Sequence, residues 1–175
     1  KLAGMTPKIV SRGACQEIVQ TGGDINLFDL PIIQCWPFDG DPRKVRHELS
    51  PAGSGTAVGQ GRYITLAGVY TIHPDDAGKP DGEPRPSRNV GMYRMQLIDK
   101  SHTAMHWHMH HDGARHWRAW KEQQLSGKAA KQPDGMPVAI VLGGESVLPY
   151  AATAPMPQGV SELLFAGFLQ GGEEQ

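Results

Sequence analysis

Glycine and proline punctuate this chain, supplying 22 and 14 of its 175 residues where the two together average about 12% of a protein. Glycine loosens the backbone and proline removes a donor, so long unbroken helices are disfavoured and short elements joined by turns are expected. A chain of this length still buries roughly two-thirds of its unfolded surface in one domain. The expectation is therefore a single turn-rich globular domain over 1–175. Punctuation is densest in 39–62, which includes Ser50-Pro-Ala-Gly-Ser-Gly-Thr-Ala-Val-Gly-Gln-Gly61 and reads as a loop insertion.

Between the breaks the residue types predict elements. Short apolar runs in 13–33 suggest brief strands and turns. Residues 63–72 and 89–98 are β-branched and aromatic enough for two strands that pair as neighbours, joined by the Pro- and Asp-rich connection 73–88. Alternation over 103–109 predicts a third strand, with Ala104, His106, His108 and His110 on one face and Met105, Trp107 and Met109 on the other. Asp112 reads as the N-cap of a helix over 114–125 that turns Trp117 and Trp120 inward, with His116 on the surface. Pro137-Val-Ala-Ile-Val-Leu142 reads as a buried strand stopped by Gly143-Gly144, and 161–169 as a second helix with Leu164 and Phe168 on one face. The fold class is α+β, mainly β, with a barrel-like antiparallel sheet and two main helices.

Charge removes several partners. Seventeen basic against eighteen acidic residues give a formal charge of −1, so nothing draws the whole molecule to nucleic acid or an anionic membrane. No run reaches the ~18 apolar residues of a membrane span, and the first ten residues lack the apolar core of a signal peptide. Cys15 and Cys35 form neither a zinc knuckle nor a disulfide framework, so a reducing cytoplasm is the expected compartment.

Chemistry should be sought among the histidines. Five of the eight, His102, His106, His108, His110 and His111, fall within ten residues. Imidazoles at alternate strand positions stand about 6.6 Å apart, close enough for two to hold one metal or phosphate, although a polar sheet face without ligand has the same pattern. Asn89 at a strand start and Glu162 in the first turn of a helix are equally a turn residue and a dipole partner; together with an imidazole they would suit Mn²⁺ or Mg²⁺. Arg94, in an otherwise apolar strand, pairs with a carboxylate of the protein or presents its fork to a substrate carboxylate or phosphate. It follows Asn89 by five residues, so in a straight strand the two side chains point to opposite faces, and one site would need a bulge or a strand starting after Asn89. In Arg115-His-Trp-Arg-Ala-Trp-Lys121 basic and aromatic residues could stack on bases, but a buried Trp stripe with a charged back explains them better.

Taken together the local strings resemble the UbiD-type decarboxylases. The resemblance is carried by Leu30-Pro-Ile-Ile-Gln-Cys-Trp-Pro37, Tyr63-Ile-Thr-Leu66, Arg88-Asn-Val-Gly-Met-Tyr-Arg-Met-Gln96, Ala104-Met-His-Trp107, His111-Asp-Gly-Ala114, Met136-Pro-Val-Ala139, Leu142-Gly-Gly144, Tyr150-Ala-Ala-Thr-Ala-Pro155 and Glu162-Leu-Leu-Phe-Ala-Gly-Phe-Leu-Gln-Gly171, in family order. It implies a reversible decarboxylase of aromatic or α,β-unsaturated acids that uses prenylated FMN, held through its phosphate by Mn²⁺ and K⁺. It further implies Asn89, His111 and Glu162 as metal ligands, and Arg94 at the substrate carboxylate and the reactive flavin edge. Met92, Tyr93, His106, Trp107, His108, His110 and His111 would line the cofactor, with Thr153, Ala154 and Pro155 leading to the helix of Glu162. The implied fold is a split β-barrel of flavin-reductase type. This chain would be the central cofactor domain of a three-domain subunit, its flanking α/β domains and its catalytic acid lying outside 1–175, and the full-length protein a homo-oligomer. Two other readings stand beside this one: a cupin-like or hydrolase β-barrel holding a transition metal through His106, His108 and a carboxylate without flavin, and a flavin-binding module without turnover.

Overall fold

The structure, a computed structural model, describes residues 9–34, 62–80, 83–127, 135–157 and 160–171. In chain order its strands are β1 (Tyr63–Ile64), β2 (Gly68–Thr71), β3 (Asn89–Met92), β4 (Arg94–Leu97), β5 (Thr103–His106) and β6 (Ala139–Val141). Its helices are α1 (Pro74–Ala77), α2 (Asp112–Leu125), α3 (Val147–Ala151) and α4 (Glu162–Leu169). They fall into two compact units, one from the described parts of Leu66–Tyr93 and Trp107–Gln175, the other from those of Ile9–Thr65 and Arg94–His106. Each unit holds a three-stranded antiparallel sheet, ordered β3-β2-β6 in the first and β1-β4-β5 in the second. The α+β class and the antiparallel pairing are as the sequence predicts.

Two expected strands are each broken in two. The run 63–72 divides into β1 and β2, and 89–98 divides at Tyr93 into β3 and β4. The halves still pair as neighbours, β1 with β4 and β2 with β3. Asn89 and Arg94 therefore belong to different sheets.

In the first unit α2 covers the sheet. Val69 and Thr71 are buried, and the inward stripe of α2 runs through Gly113, His116 and Trp120 at helical spacing. That stripe corrects two expectations. His116 is not a surface residue: it is fully buried, its Nδ1 2.9 Å from the Thr71 hydroxyl. Trp120 is buried, its indole N–H donating to the Ile72 carbonyl at 2.9 Å, but Trp117 lies one step off the stripe, 46% exposed beneath the Lys121 ammonium. The expected N-cap also moves by one: His111 caps α2 in extended geometry, and Asp112 is the first helical residue.

Residues 137–142, read as a buried strand, form only Ala139–Val141, all three exposed at the edge of the sheet. The 103–109 strand stops at His106, because a turn closed by the His111 N–H on the His108 carbonyl at 3.0 Å leads directly into α2. His108 and His110 therefore do not share a strand face with His106. In 13–33, 3₁₀ turns at Ala14–Gln16, Gly22–Asp24 and Leu27–Asp29 replace the brief strands expected there. Of the insertion 39–62, residues 39–61 lie outside the described residues, and Arg62 bridges Gln34.

The connection 73–88 is fastened rather than loose. Asp76 in α1 accepts the Ser87 N–H at 2.9 Å and pairs with Lys79 at 2.5 Å. Burial works against its charge, but Lys79 and Ser87 outweigh burial and hold the carboxyl down at about 2. This fastening fixes the lead into Arg88 and Asn89.

Burial pushes the His116 imidazole down to about 4, whereas the unfolded chain binds its proton near 6.5. Stability from this site is therefore complete above pH ~6.5 and is lost as pH falls toward ~4, by about 2–3 kcal/mol. Urea unfolding of His116→Gln should lose that part of the pH dependence. An unchanged slope would mean that other groups carry it.

Candidate functional site

Among the described residues of the first unit, one long-range contact joins a backbone amide to a carboxylate. Ser161 caps α4 by accepting the Leu163 N–H at 3.3 Å, which places Glu162 at the first helical position. From there its Oε2 accepts the Val90 N–H of β3 at 2.8 Å, seventy-two residues away in sequence. A carboxylate at a helix start complements the dipole, yet burial raises the Glu162 pKa, opposed by the N–H groups of Val90 and of Glu162 itself, with nearby Asp112 adding to the rise. Beside it Asn89 is buried too, and its Nδ2 makes no hydrogen bond.

These groups line a polar cavity of about 20 Å³ together with Ser87, Arg88, Asp112 and Arg115, enough for one ion or water. Arg115 is braced by Asp112 at 2.8 Å, one turn apart on α2. A buried carboxylate, an amide with an unpartnered Nδ2 and guanidinium groups make a donor set for a hard divalent cation next to an anion. Among the described residues no three His, Cys, Asp or Glu side chains converge to hold a metal, so a cation here needs the Asn89 amide.

His111 stands one ring away. Its imidazole is tilted against Tyr93, with centroids 5.1 Å apart, and its Nδ1 accepts the His108 N–H at 2.9 Å. The ring proton is therefore on Nε2, which presents a donor suited to a phosphate oxygen; Nε2 could ligate a cation only after that contact opens. Trp107 meets the Tyr93 ring edge-on at 5.8 Å. His108 and His110 are exposed, their rings 5.0 Å apart. Thr153 donates its hydroxyl to the Tyr150 carbonyl at 2.7 Å, and Thr153, Ala154 and Pro155 lead into Met156 and Pro157 of the cavity wall.

In the second unit Arg94 is exposed at the start of β4, its guanidinium 5.4 Å over the Tyr63 ring. His106 meets the same ring edge-on at 5.6 Å, and its Nε2 lies 3.3 Å from the Gln96 side-chain Oε1. His102 is held in the β4–β5 turn by Asp99, 2.8 Å from its Nδ1.

Sequence reasoning missed Arg88 and Arg115, and it gave Asp112 only a capping role. The signal available was the i,i+3 spacing of Asp112 and Arg115, which pairs them on one helix face. A second, apolar groove of about 550 Å³ lies between β6 and α4, lined by Tyr70, Ile72, Val141 and Leu163 with Arg85 and Arg88.

Buried Glu162 and Asn89 thus share one cavity of an α+β unit with Arg88 and Arg115. The description "UbiD: 3-octaprenyl-4-hydroxybenzoate carboxy-lyase Rift-related domain" matches residues 8–175, and the chain belongs to that family. It is 42% identical to an uncharacterized protein of Aquifex aeolicus over 97% of its length, and 35% identical to one of Archaeoglobus fulgidus over 94%. It spans 27% and 26% of those proteins, about a quarter of the relatives it matches. The vanillic acid decarboxylase of Sedimentibacter hydroxybenzoicus in its closed form is similar in structure, with a TM-score of 0.68 and 27% identity over 96% of this chain and 29% of that one. Its open form aligns with a TM-score of 0.62, also at 27% identity, over 96% of this chain and 28% of that one. No helix among the described residues is long and apolar enough to cross a membrane.

Because the Glu162 pKa is raised, its ionisation costs the folded state stability as pH rises through that pKa. In protein stripped of metal near pH ~7.5, Glu162→Gln should unfold at the same or a higher temperature than the parent. Glu162→Ala, which strands the Val90 N–H, should lose about 1–3 kcal/mol. Thermal unfolding in chelator checks this, and equal losses in both variants would refute it.

Proposed function

We propose that this chain binds prenylated FMN, Mn²⁺ and K⁺ for an enzyme that reversibly decarboxylates aromatic or α,β-unsaturated carboxylic acids. The carrying observation is the burial of Glu162 and Asn89 in one polar cavity, in a chain of the UbiD family. The similarity to a vanillic acid decarboxylase favours an aromatic acid as substrate.

The donor set fits the implied groups. Glu162 and Asn89 would hold Mn²⁺, joined by His111 once its Nδ1 leaves the His108 N–H. The cation would relieve the cost of ionising a buried carboxylate. Arg88 and Arg115 border the same cavity, where guanidinium forks suit a phosphate. Met92, Tyr93, His106, Trp107, His108, His110, Thr153, Ala154 and Pro155 would border the cofactor. Prenylated FMN, when bound, supplies an electron sink for the carbon that loses CO₂. Arg94 would take the substrate carboxylate. Decarboxylation discards that charge, so a fork that held it tightly would stabilise the ground state as much as the transition state, and its useful contribution is orientation. The split barrel of flavin-reductase type belongs to this same reading.

Manganese titration of the chelator-treated protein, followed by electron paramagnetic resonance, should give stoichiometric binding, weakened more than about tenfold in Asn89→Ala and in Glu162→Gln. Residues 1–175 loaded with prenylated FMN should bind the cofactor yet release CO₂ from a vanillate-type acid far more slowly than the full-length parent, which supplies the acid. Arg94→Ala in that parent should abolish turnover and leave the flavin absorbance largely unchanged. Retention of neither manganese nor flavin would refute the proposal.

A further inference from the structure

Tyr93 occupies the break between β3 and β4, and its side chain turns into the first unit, 9% exposed. Two glycines make room for it. A Cβ on Gly91 would lie 2.5 Å from the Cζ and Oη of Tyr93, and one on Gly113 would lie 2.7 Å from the Trp107 ring and 3.3 Å from the Tyr93 ring. Neither glycine has a left-handed φ, so backbone conformation does not require glycine there. What requires it is the space taken by the two aromatic rings.

Held in that slot, Tyr93 touches the elements that carry the proposed ligands. Its hydroxyl accepts the Gly113 N–H at 3.4 Å, in the first turn of α2, two residues past the cap His111. Its ring is tilted at 37° against the His111 imidazole. The Asn89 side chain, four residues back on β3, faces the same hydroxyl, yet its Nδ2 closes no hydrogen bond of its own. One phenol thus lies between a β3 ligand and an α2 ligand. Sequence placed Tyr93 merely along the cofactor wall.

We propose that Tyr93 is a positioning residue of the cation site, its ring and hydroxyl fixing Asn89 of β3 relative to His111 at the start of α2. This rests on the reading of Asn89, His111 and Glu162 as the cation site. Side chains that orient metal ligands from behind are worth about ten- to a hundredfold in affinity. The Glu162–Val90 bond fixes α4 on β3 in the same way.

Tyr93→Phe is the test, because the ring still fills the space between the glycines while the Gly113 N–H loses its acceptor and Asn89 no longer faces a hydroxyl. In cofactor-free protein the manganese dissociation constant, from paramagnetic resonance, should rise about tenfold. Without metal, the Asn89 side-chain amide and His111 ring signals in NMR spectra should shift. A lower unfolding temperature with an unchanged constant and unmoved signals would reduce Tyr93 to a packing residue and overturn the proposal. Should the parent protein bind no manganese, the cation reading fails by itself, and the two NMR signals still decide: shifts support positioning, and unmoved signals overturn it. If Tyr93→Phe does not fold, Gly113→Ala displaces the rings and leaves every proposed ligand intact. It should move the same two signals, and their constancy would overturn the proposal.

Discussion

The acceptance of the Val90 N–H by Glu162 is the contact on which the first unit depends. A β-strand N–H taken out of water must find an acceptor, and leaving it unmet costs about 1–3 kcal/mol. Here the acceptor is a side chain from the first turn of α4, so a backbone requirement of the sheet fixes where that helix starts. The same bond buries a carboxylate beside the Asn89 amide and keeps it short of solvent. Burial without a full complement of donors raises its pKa. Structure and chemistry therefore share one atom pair, and the position that stabilises the fold is the one that prepares a cation ligand.

Around Tyr93, ring packing takes over from hydrogen bonding. Tyr93 and Trp107 occupy volume that Gly91 and Gly113 leave free, so glycine density, which at first suggests only turns, serves close packing at these two positions. The break at Tyr93 also ends β3, so Arg94 begins a strand of another sheet.

The histidine run shows how far residue type alone can mislead. Its alternation suggested one strand face for His106, His108 and His110, but the five rings have separate occupations. His102 sits in a turn clamped by Asp99, His106 meets Tyr63, and His108 and His110 pack on each other in the approach to α2. His111 caps that helix and leans on Tyr93. A local turn ended the strand at His106, and periodicity over seven residues carries no information about such a turn. His116, outside the run, is the histidine the core encloses, because the stripe of α2 is set by which residues stand opposite Thr71 and Ile72.

By itself the sequence determined the class of fold, its antiparallel pairing, the extents of α2 and α4 to within two residues, and the family. Each of these rests on local propensity, short-range periodicity or strings of adjacent residues, which survive without any knowledge of partners. It also singled out Asn89 and Glu162, by residue type as oxygen donors and then by resemblance. Tertiary structure alone decided that these two meet, that Arg88, Asp112 and Arg115 share their cavity, that His116 is interior and Trp117 exterior, and that β6 is an exposed edge. Those outcomes depend on which surfaces pack against one another across intervals such as the seventy-two residues between Val90 and Glu162. No window of sequence spans that distance, since what fixes such a pair is the shared need to satisfy buried polar groups and fill space.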